Sequence, residues 1–336
     1  MKSYHVNKGA GLAGLTVREH DVPVPGPREV LVRMRANSLN ARELMVMQGT
    51  YPWPILPDVI PVSDGAGEVV AVGEGVTRAR VGDRVASSIL PYWTEGPFKW
   101  EYSKQLGGSM NGMLTEYAVL PEEGIVHIPD HLSFEEAATL PVAGVTAWNA
   151  LTWGRPLQAG DSVLTLGSGG VSLFALQFAK LFGARVIATT SSDDKAERLR
   201  ALGADDVINY RTTPDWHVAV RELTGGQGVD RVIEVGGPGT LEQSVKSTAV
   251  SGHISMIGWL ANTATTIPIS ALIGNFYTLQ RIAVGNRGHF LAMNRAITVN
   301  QLRPAIDRVF PFEDALAAHR YYEAGQCFGK VVISHS

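Results

Sequence analysis

Ser162-Val-Leu-Thr-Leu-Gly-Ser-Gly-Gly-Val-Ser-Leu-Phe-Ala-Leu-Gln-Phe-Ala-Lys-Leu181 decides the fold. Val163 to Leu166 predict a buried strand, Gly167-Ser168-Gly169-Gly170-Val171-Ser172 a tight turn, and Leu173 to Leu181 an apolar helix ended by Gly183. Strand, glycine turn and helix in that order make a phosphate cradle. Gly167 permits the turn, Gly169 lets backbone approach a pyrophosphate, and the helix start supplies free N–H donors and partial positive charge. Ser172 stands where the third glycine of G-x-G-x-x-G would be, and serine is small enough to keep helix and strand close. The plain alternative is a structural turn that binds no nucleotide.

Outward from this stretch, apolar runs recur with helical patterns between them: Ala184 to Thr189, Asp206 to Asn209, Val229 to Val235, His253 to Ile257 and Arg281 to Val284. Six β signals separated by helices predict an α/β fold with a doubly wound parallel sheet. Ser133 with Glu136 forms a capping box before the apolar stretch Ala137 to Leu151, so a helix leads into this sheet. The first third reads differently. Short strands (Val30 to Met34, Gly67 to Val72, Met113 to Leu120) alternate with Pro and Gly, which indicates a β-rich domain. After Gly285 come short elements, a helix near Phe312 to Glu323 and a strand Lys330 to Ser334; this tail is too short for its own core and should pack back on the first domain.

The end of the second strand discriminates between nicotinamide cofactors, because an acid there binds the ribose 2′-hydroxyl, whereas a 2′-phosphate needs cations and hydroxyl donors. The strand ends Ala188-Thr189-Thr190, and Ser191, Ser192 and Lys195 follow. NADPH is therefore the expected cofactor. The alternative is that Ser191 caps a helix with Asp194 and Lys195 is solvated; Asp193 and Asp194 also leave NADH open.

Composition narrows the partners. The 336 residues are 45% hydrophobic, with net charge -3 and one cysteine, Cys327. Without a long basic run, a nucleic-acid partner is disfavoured. One cysteine allows no internal disulfide, so a reduced, cytoplasmic setting is expected. The first residues lack the apolar core of a signal peptide, and no run approaches the ~20 apolar residues of a membrane helix.

The motifs SLNARE (38–43), VSDGAGEVVAVGEGV (62–76), GDRV (82–85), LPVAGVTAWNAL (140–151), GSGGVSLFALQFAKLFGA (167–184), LGAD (202–205), VINY (207–210) and FGKVVI (328–333) occur in an order that resembles the medium-chain dehydrogenase/reductase superfamily. The resemblance is to its zinc-free, quinone oxidoreductase-like branch and covers essentially the whole chain. It implies a GroES-like catalytic domain from residues 1–123 and 291–336, a Rossmann domain from 124–290, and an active site in the cleft between them. It also implies roles: Thr146 near the nicotinamide or pyrophosphate; Ser191, Ser192, Lys195 and Tyr210 around the 2′-phosphate; Gly258 and Asn286 along the dinucleotide; Asn40 by the nicotinamide ribose. Tyr210 has a plain alternative as a strand-end core aromatic. Where zinc-bearing relatives carry a cysteine and a histidine, this chain has Asn40 and Ser63, and a structural zinc would need four thiolates. No metal site is expected, an unusual set of Asp64, Glu68 and a histidine being the alternative. The histidines from His5 to His319 show no clustering in sequence.

Without a Lewis acid, acceptors that delocalise negative charge into their own carbonyl are favoured. The expected reaction is hydride transfer from NADPH to a quinone or an enone. Tyr51 in GTYPWP matches a tyrosine near the site in quinone oxidoreductase relatives and would orient the acceptor oxygen, or else it simply packs beside a proline turn. Trp53, Tyr92, Trp93, Phe98, Trp100 and Tyr102 would wall a pocket for a small hydrophobic or planar acceptor, with residues 91–112 as a lid, unless they form a satellite core. A homodimer is expected through an edge strand at Arg281 to Val284. The competing functions are a metal-free carbonyl reductase and a catalytically idle NADPH-binding protein.

Overall fold

Ser162–Leu166 (β1), Arg185–Thr190 (β2), Asp206–Asn209 (β3), Val229–Glu234 (β4), Thr248–Met256 (β5) and Thr278–Arg281 (β6) form one sheet in the computed structural model, which describes residues 1–260, 269–273 and 276–335. All pairs are parallel, in the order β3-β2-β1-β4-β5-β6. The strand order runs outward in opposite senses from β1 and from β4, so a crevice opens at the carboxyl end of β1, where the glycine turn lies. The strands are buried on both faces, with Val163, Leu164, Val186, Ile187, Val232 and Ile233 inaccessible, which is why they read as continuous apolar runs.

The helix after the turn spans Gly170–Leu181 (α1) and buries Leu173, Phe174, Leu176 and Phe178. Its sheet belongs to one of two compact units, Thr146–Gly285; the other comprises Met1–Val145 and Asn286–Ser336. That other unit is built on a seven-stranded sheet in which Glu29–Ser38 is central, pairing with Asp64–Val72, Tyr117–Pro121 and the returning strand Lys330–Ser334. Tyr4, Leu39, Leu114, Phe310, Phe312 and Ile333 form one of its cores.

Three expectations need correction. The edge strand is Thr278–Arg281, earlier than Arg281 to Val284: Arg281 pairs with Met256, the last residue of β5, and Val284 then takes φ 64, incompatible with a continuing strand. Met113 to Leu120 is a strand only from Tyr117. A 14-residue helix, Arg287–Asn300, follows Asn286 where only short elements were expected. His5 and His20, distant in sequence, both contact the Ser3 hydroxyl, at 2.9 and 2.6 Å. The capping box of Ser133 and Glu136 is present, starting the helix Phe134–Ala137.

Arg231, in the middle of β4, is buried. It donates to the carbonyls of Ala150 and Arg155 at the end of the helix Val145–Thr152, and burial, with Arg155 adding, lowers its pKa to about 10.

Burial also holds His253 and His335 at about 4, with Arg231 and Arg35 respectively adding to the effect. Their folded-state pKa lies below the unfolded value, so the stability they contribute is complete above about pH 6.5 and is lost as pH falls towards 4. Burial of Asp64 works in the opposite sense, raising its pKa to about 6. With two histidines against one carboxyl, the urea midpoint should fall between pH 7 and pH 5, and His335→Gln should flatten that slope. A midpoint independent of pH in both proteins would contradict the assignment.

Candidate functional site

The glycine turn has the geometry of an anion cradle. Gly167 adopts φ 73, where a side chain would be strained, and its N–H donates to Thr189 Oγ1 at 3.2 Å. Gly169 has φ -78, open to any residue, and a Cβ built there would meet no atom within 4 Å. Neither backbone conformation nor packing therefore explains that glycine. The empty space above it is what a closely approaching phosphate needs. Gly169 is also the N-cap of α1 and makes no side-chain cap, so no side chain of the N-cap covers the donors at the helix start. Ser172, the departure from the three-glycine pattern, is buried and donates to Leu166 O at 2.6 Å. It staples helix to strand, doing with a hydrogen bond what a third glycine does by close approach.

At the end of β2, Thr190 O accepts from Tyr210 N at 2.9 Å, because β3 pairs with β2 as far as Asn209. This pairing brings Tyr210 beside the Thr190-Ser191-Ser192 turn. Tyr210 is exposed, so it is not a core aromatic. Ser192, not Ser191, caps the helix Asp193–Ala201, accepting from Lys195 N at 3.4 Å. Asp193 accepts from Asn209 Nδ2 at 2.9 Å, which turns that acid towards β3. Arg211, exposed and next to Tyr210, is a further cation that the sequence reading missed.

The loops after β4 and β5 enclose a cavity of about 270 Å³ lined by Gly237, Leu241, Met256, Gly258, Trp259 and Arg281. Gly258 is thus placed at the carboxyl ends of the strands. Beneath it lies Glu234, fully buried, which sequence reading also missed. Its Oε1 accepts from Gly236 N (2.7 Å), Gly237 N (2.9 Å) and Thr240 Oγ1 (2.7 Å), and its Oε2 from Ser244 Oγ. An acid closing an apolar strand before Gly-Gly was the available signal. Thr146 is buried in the helix Val145–Thr152.

The other unit holds a buried polar network. Asn40 caps the helix Ala41–Gln48, and Glu43 Oε2 accepts from its backbone N–H at 2.9 Å. Glu43 Oε1 accepts from Ser63 Oγ and N and from Arg42. Lys330 Nζ donates to Asn40 Oδ1 and Leu39 O, both at 2.6 Å, and stands 3.8 Å from Asp64 Oδ2. Burial drives the Lys330 ammonium pKa down, partly opposed by Asp64 and Glu43; burial raises Asp64, partly opposed by Lys330 and the Asn40 amide. Tyr51 donates to Gln105 Oε1 at 2.8 Å, while the Arg42 guanidinium lies 5.0 Å from its ring centre. Tyr51 is therefore part of the network rather than merely packed beside a turn.

Four of the six aromatics meet: Trp53, Trp93, Phe98 and Trp100, at ring separations of 5.3 to 5.9 Å. Tyr92 and Tyr102 instead stand beside Lys104 and Lys99. Asn286 is engaged as the N-cap of Arg287–Asn300, accepting from His289 N, and donates to Gly96 O at 3.2 Å. Residues 93–96 are further tied down by Arg287 N and Gly288 N.

The donor set does not fit a zinc ion at the positions that resemble its ligands. Asn40 is a neutral amide bound to an ammonium, Ser63 is a hydroxyl bound to Glu43, and Asp64 faces Lys330. Among the described residues no three His, Cys, Asp or Glu side chains are grouped so as to hold a metal. The dinucleotide does fit, on the open cradle at Gly169 and the start of α1.

A GroES-like β unit joined to a doubly wound sheet with a glycine turn at its switch point defines a class of dehydrogenases and reductases. Residues 26–130 match the alcohol dehydrogenase GroES-like domain and residues 170–298 the zinc-binding dehydrogenase family. The chain is 42% identical to a zinc-type alcohol dehydrogenase-like protein of Schizosaccharomyces pombe, covering 96% of each, and 34% identical to a quinone oxidoreductase of Pseudomonas aeruginosa, covering 95% of each. Among solved structures it resembles an NAD-dependent alcohol dehydrogenase (TM-score 0.90, 37% identity, 99% of each chain). It also resembles a mycobacterial protein complexed with NADPH (TM-score 0.84, 30% identity, 99% of each chain). The chain belongs to the medium-chain dehydrogenase/reductase superfamily and is an oxidoreductase of that type. No helix among the described residues is long and apolar enough to cross a membrane.

Proposed function

We propose that this oxidoreductase uses NADPH to reduce a quinone or the activated C=C bond of an enone, without zinc. The observation that carries the reading is the pair Asn40 and Ser63: both are engaged by charged side chains and neither is a metal ligand type at such a site. NADPH supplies the hydride when bound. The start of α1 would hold the pyrophosphate, and Ser191, Ser192, Lys195 and Tyr210 the 2′-phosphate. The network of the GroES-like unit would orient the acceptor oxygen. The Tyr51 hydroxyl already donates its hydrogen bond to Gln105 Oε1, so donation to an acceptor requires it to leave that bond; the Gln105 Nε2 hydrogens have no partner and are a second candidate. The quinone oxidoreductase and NADPH-bound relatives support this reading.

Lys195→Ala should weaken NADPH by about 1.5–3 kcal/mol, the value of a hydrogen bond to a charged group, and leave NADH nearly unchanged. Titration of both cofactors checks it; equal losses would reject the 2′-phosphate role. The second reading, an NAD-dependent alcohol or carbonyl enzyme, is favoured by the NAD-dependent structural relative and by Asp193 near the ribose end of β2. NADH bound more tightly than NADPH would establish it. Tight NADPH binding with no turnover of any acceptor would instead mark an idle binding protein.

We also propose a homodimer through β6. It is an edge strand, and Phe276, Ile273 and Leu279 near it are exposed. Phe276→Glu with Leu279→Glu should convert the dimer to monomer in sedimentation; an unchanged mass would place the interface elsewhere.

A further inference from the structure

The chain from Tyr51 to Leu56 alternates in exposure: Tyr51, Trp53 and Ile55 are half-buried, and Pro52, Pro54 and Leu56 are exposed. Alternation with period two puts Tyr51 and Trp53 on the same side of an extended segment, about 7 Å apart along it. A second segment meets both. Gln105 Oε1 accepts from the Tyr51 hydroxyl at 2.8 Å, while the rings of Phe98 and Trp100 lie 5.9 and 5.8 Å from that of Trp53. A polar pair and a group of rings therefore stand side by side along the two segments. The rings are not closed over as a core would be. Trp93 is 4% exposed, with its Nε1 donating to Gly96 O; Trp53 and Phe98 are half-buried; Trp100 is 75% exposed. An indole so exposed at the end of an aromatic group leaves a ring face for another planar molecule. The polar end is fixed. The Arg42 guanidinium, which only donates, stands 3.3 Å from Gln105 Oε1, so that atom is the oxygen and Nε2 remains an unused donor.

We propose that the acceptor is an aryl-conjugated carbonyl compound, an aryl enone or a fused-ring quinone, with its carbonyl at Tyr51 and Gln105 and its aryl ring against Trp100 and Trp53. The proposal rests on the reading above and narrows its substrate class. In such a molecule the ring sits a few bonds beyond the carbonyl, which matches the two-residue offset between Tyr51 and Trp53. An alkyl enone reaches the polar pair and leaves the ring face wet. Trp100 is thus the specificity-determining residue. Its contact with the ring is the same before and during hydride transfer, so it acts on KM rather than on kcat.

The test compares two enones that differ only in a ring, benzylideneacetone and ethylideneacetone, at saturating NADPH in the wild type, Trp100→Ala and Trp100→Phe. Trp100 is exposed, so both changes should leave the fold intact, and thermal midpoints check this. The expected result in Trp100→Ala is a rise of about 3- to 10-fold in KM for benzylideneacetone, the worth of one aromatic pair, with kcat unchanged. Both constants for ethylideneacetone should stay where they were, and Trp100→Phe should retain most of the affinity. Naphthoquinone against benzoquinone makes the same comparison if only quinones are reduced. Equal KM changes for the two members of a pair, no change for either, or a phenylalanine variant no better than alanine overturns the inference and leaves the quinone or enone reading intact. A wild-type protein that reduces none of the four, whether or not it reduces the saturated benzylacetone, overturns both.

Discussion

Gly169→Val should abolish dinucleotide binding, by about 100-fold or more, in a protein that remains folded. The fold tolerates the change because the residue has φ -78 and ψ 171 and a Cβ there meets nothing within 4 Å. Valine is a poor N-cap, but glycine is itself only moderate, so the cost to stability is about 1 kcal/mol or less. The branched side chain fills the space in which a pyrophosphate would meet the N–H groups of α1. Losing two charge-assisted hydrogen bonds of about 1.5–3 kcal/mol each gives the predicted effect. Isothermal titration with NADPH, beside a thermal melt, measures both. A valine variant that binds normally would show that the glycine turn is only a structural element.

Glu234→Ala should be the most damaging substitution to stability among those considered. Four donors, the N–H groups of Gly236 and Gly237 and the hydroxyls of Thr240 and Ser244, lose their acceptor together. At about 1–3 kcal/mol per buried unsatisfied group, partly relieved by water entering the loop, the loss is about 3–5 kcal/mol. The cavity over Gly237 and Gly258 loses its support, so cofactor affinity should fall as well. Glu234→Gln retains an acceptor oxygen and should cost much less. Urea unfolding of the two variants compares them; an alanine variant within about 1 kcal/mol of wild type would mean that the loop is held by other contacts.

The nucleotide-binding half was legible because its signals are local. Strand, glycine turn and helix lie within 20 consecutive residues, and the position of Ser172 six residues after Leu166 fixes the hydrogen bond that replaces a glycine. Strand β6 was displaced because its ends depend on register with β5, and the apolar run Ile282-Ala283-Val284 gives no hint that Val284 turns left-handed. The helix Arg287–Asn300 escaped notice because its capping box pairs Asn286 with His289 rather than serine with glutamate. The network around Asn40 is the least local feature. Its key pair lies 290 residues apart in sequence, and only folding brings Lys330 to Asn40. A lysine inside the otherwise apolar strand FGKVVI was nevertheless a visible anomaly, since a buried ammonium requires partners. Tyr210 shows the converse: strand-end position alone left core and surface open, and its exposure, together with pairing at Thr190, decides between them.

The most direct measurement follows NADPH consumption by chelator-treated protein offered a quinone, an α,β-unsaturated ketone and the corresponding saturated ketone at equal concentration. The predicted result is turnover of the quinone or the unsaturated ketone that treatment with chelator leaves unchanged, with the saturated ketone far slower. Turnover of the saturated ketone alone, or activity that chelation removes and zinc restores, would contradict the account.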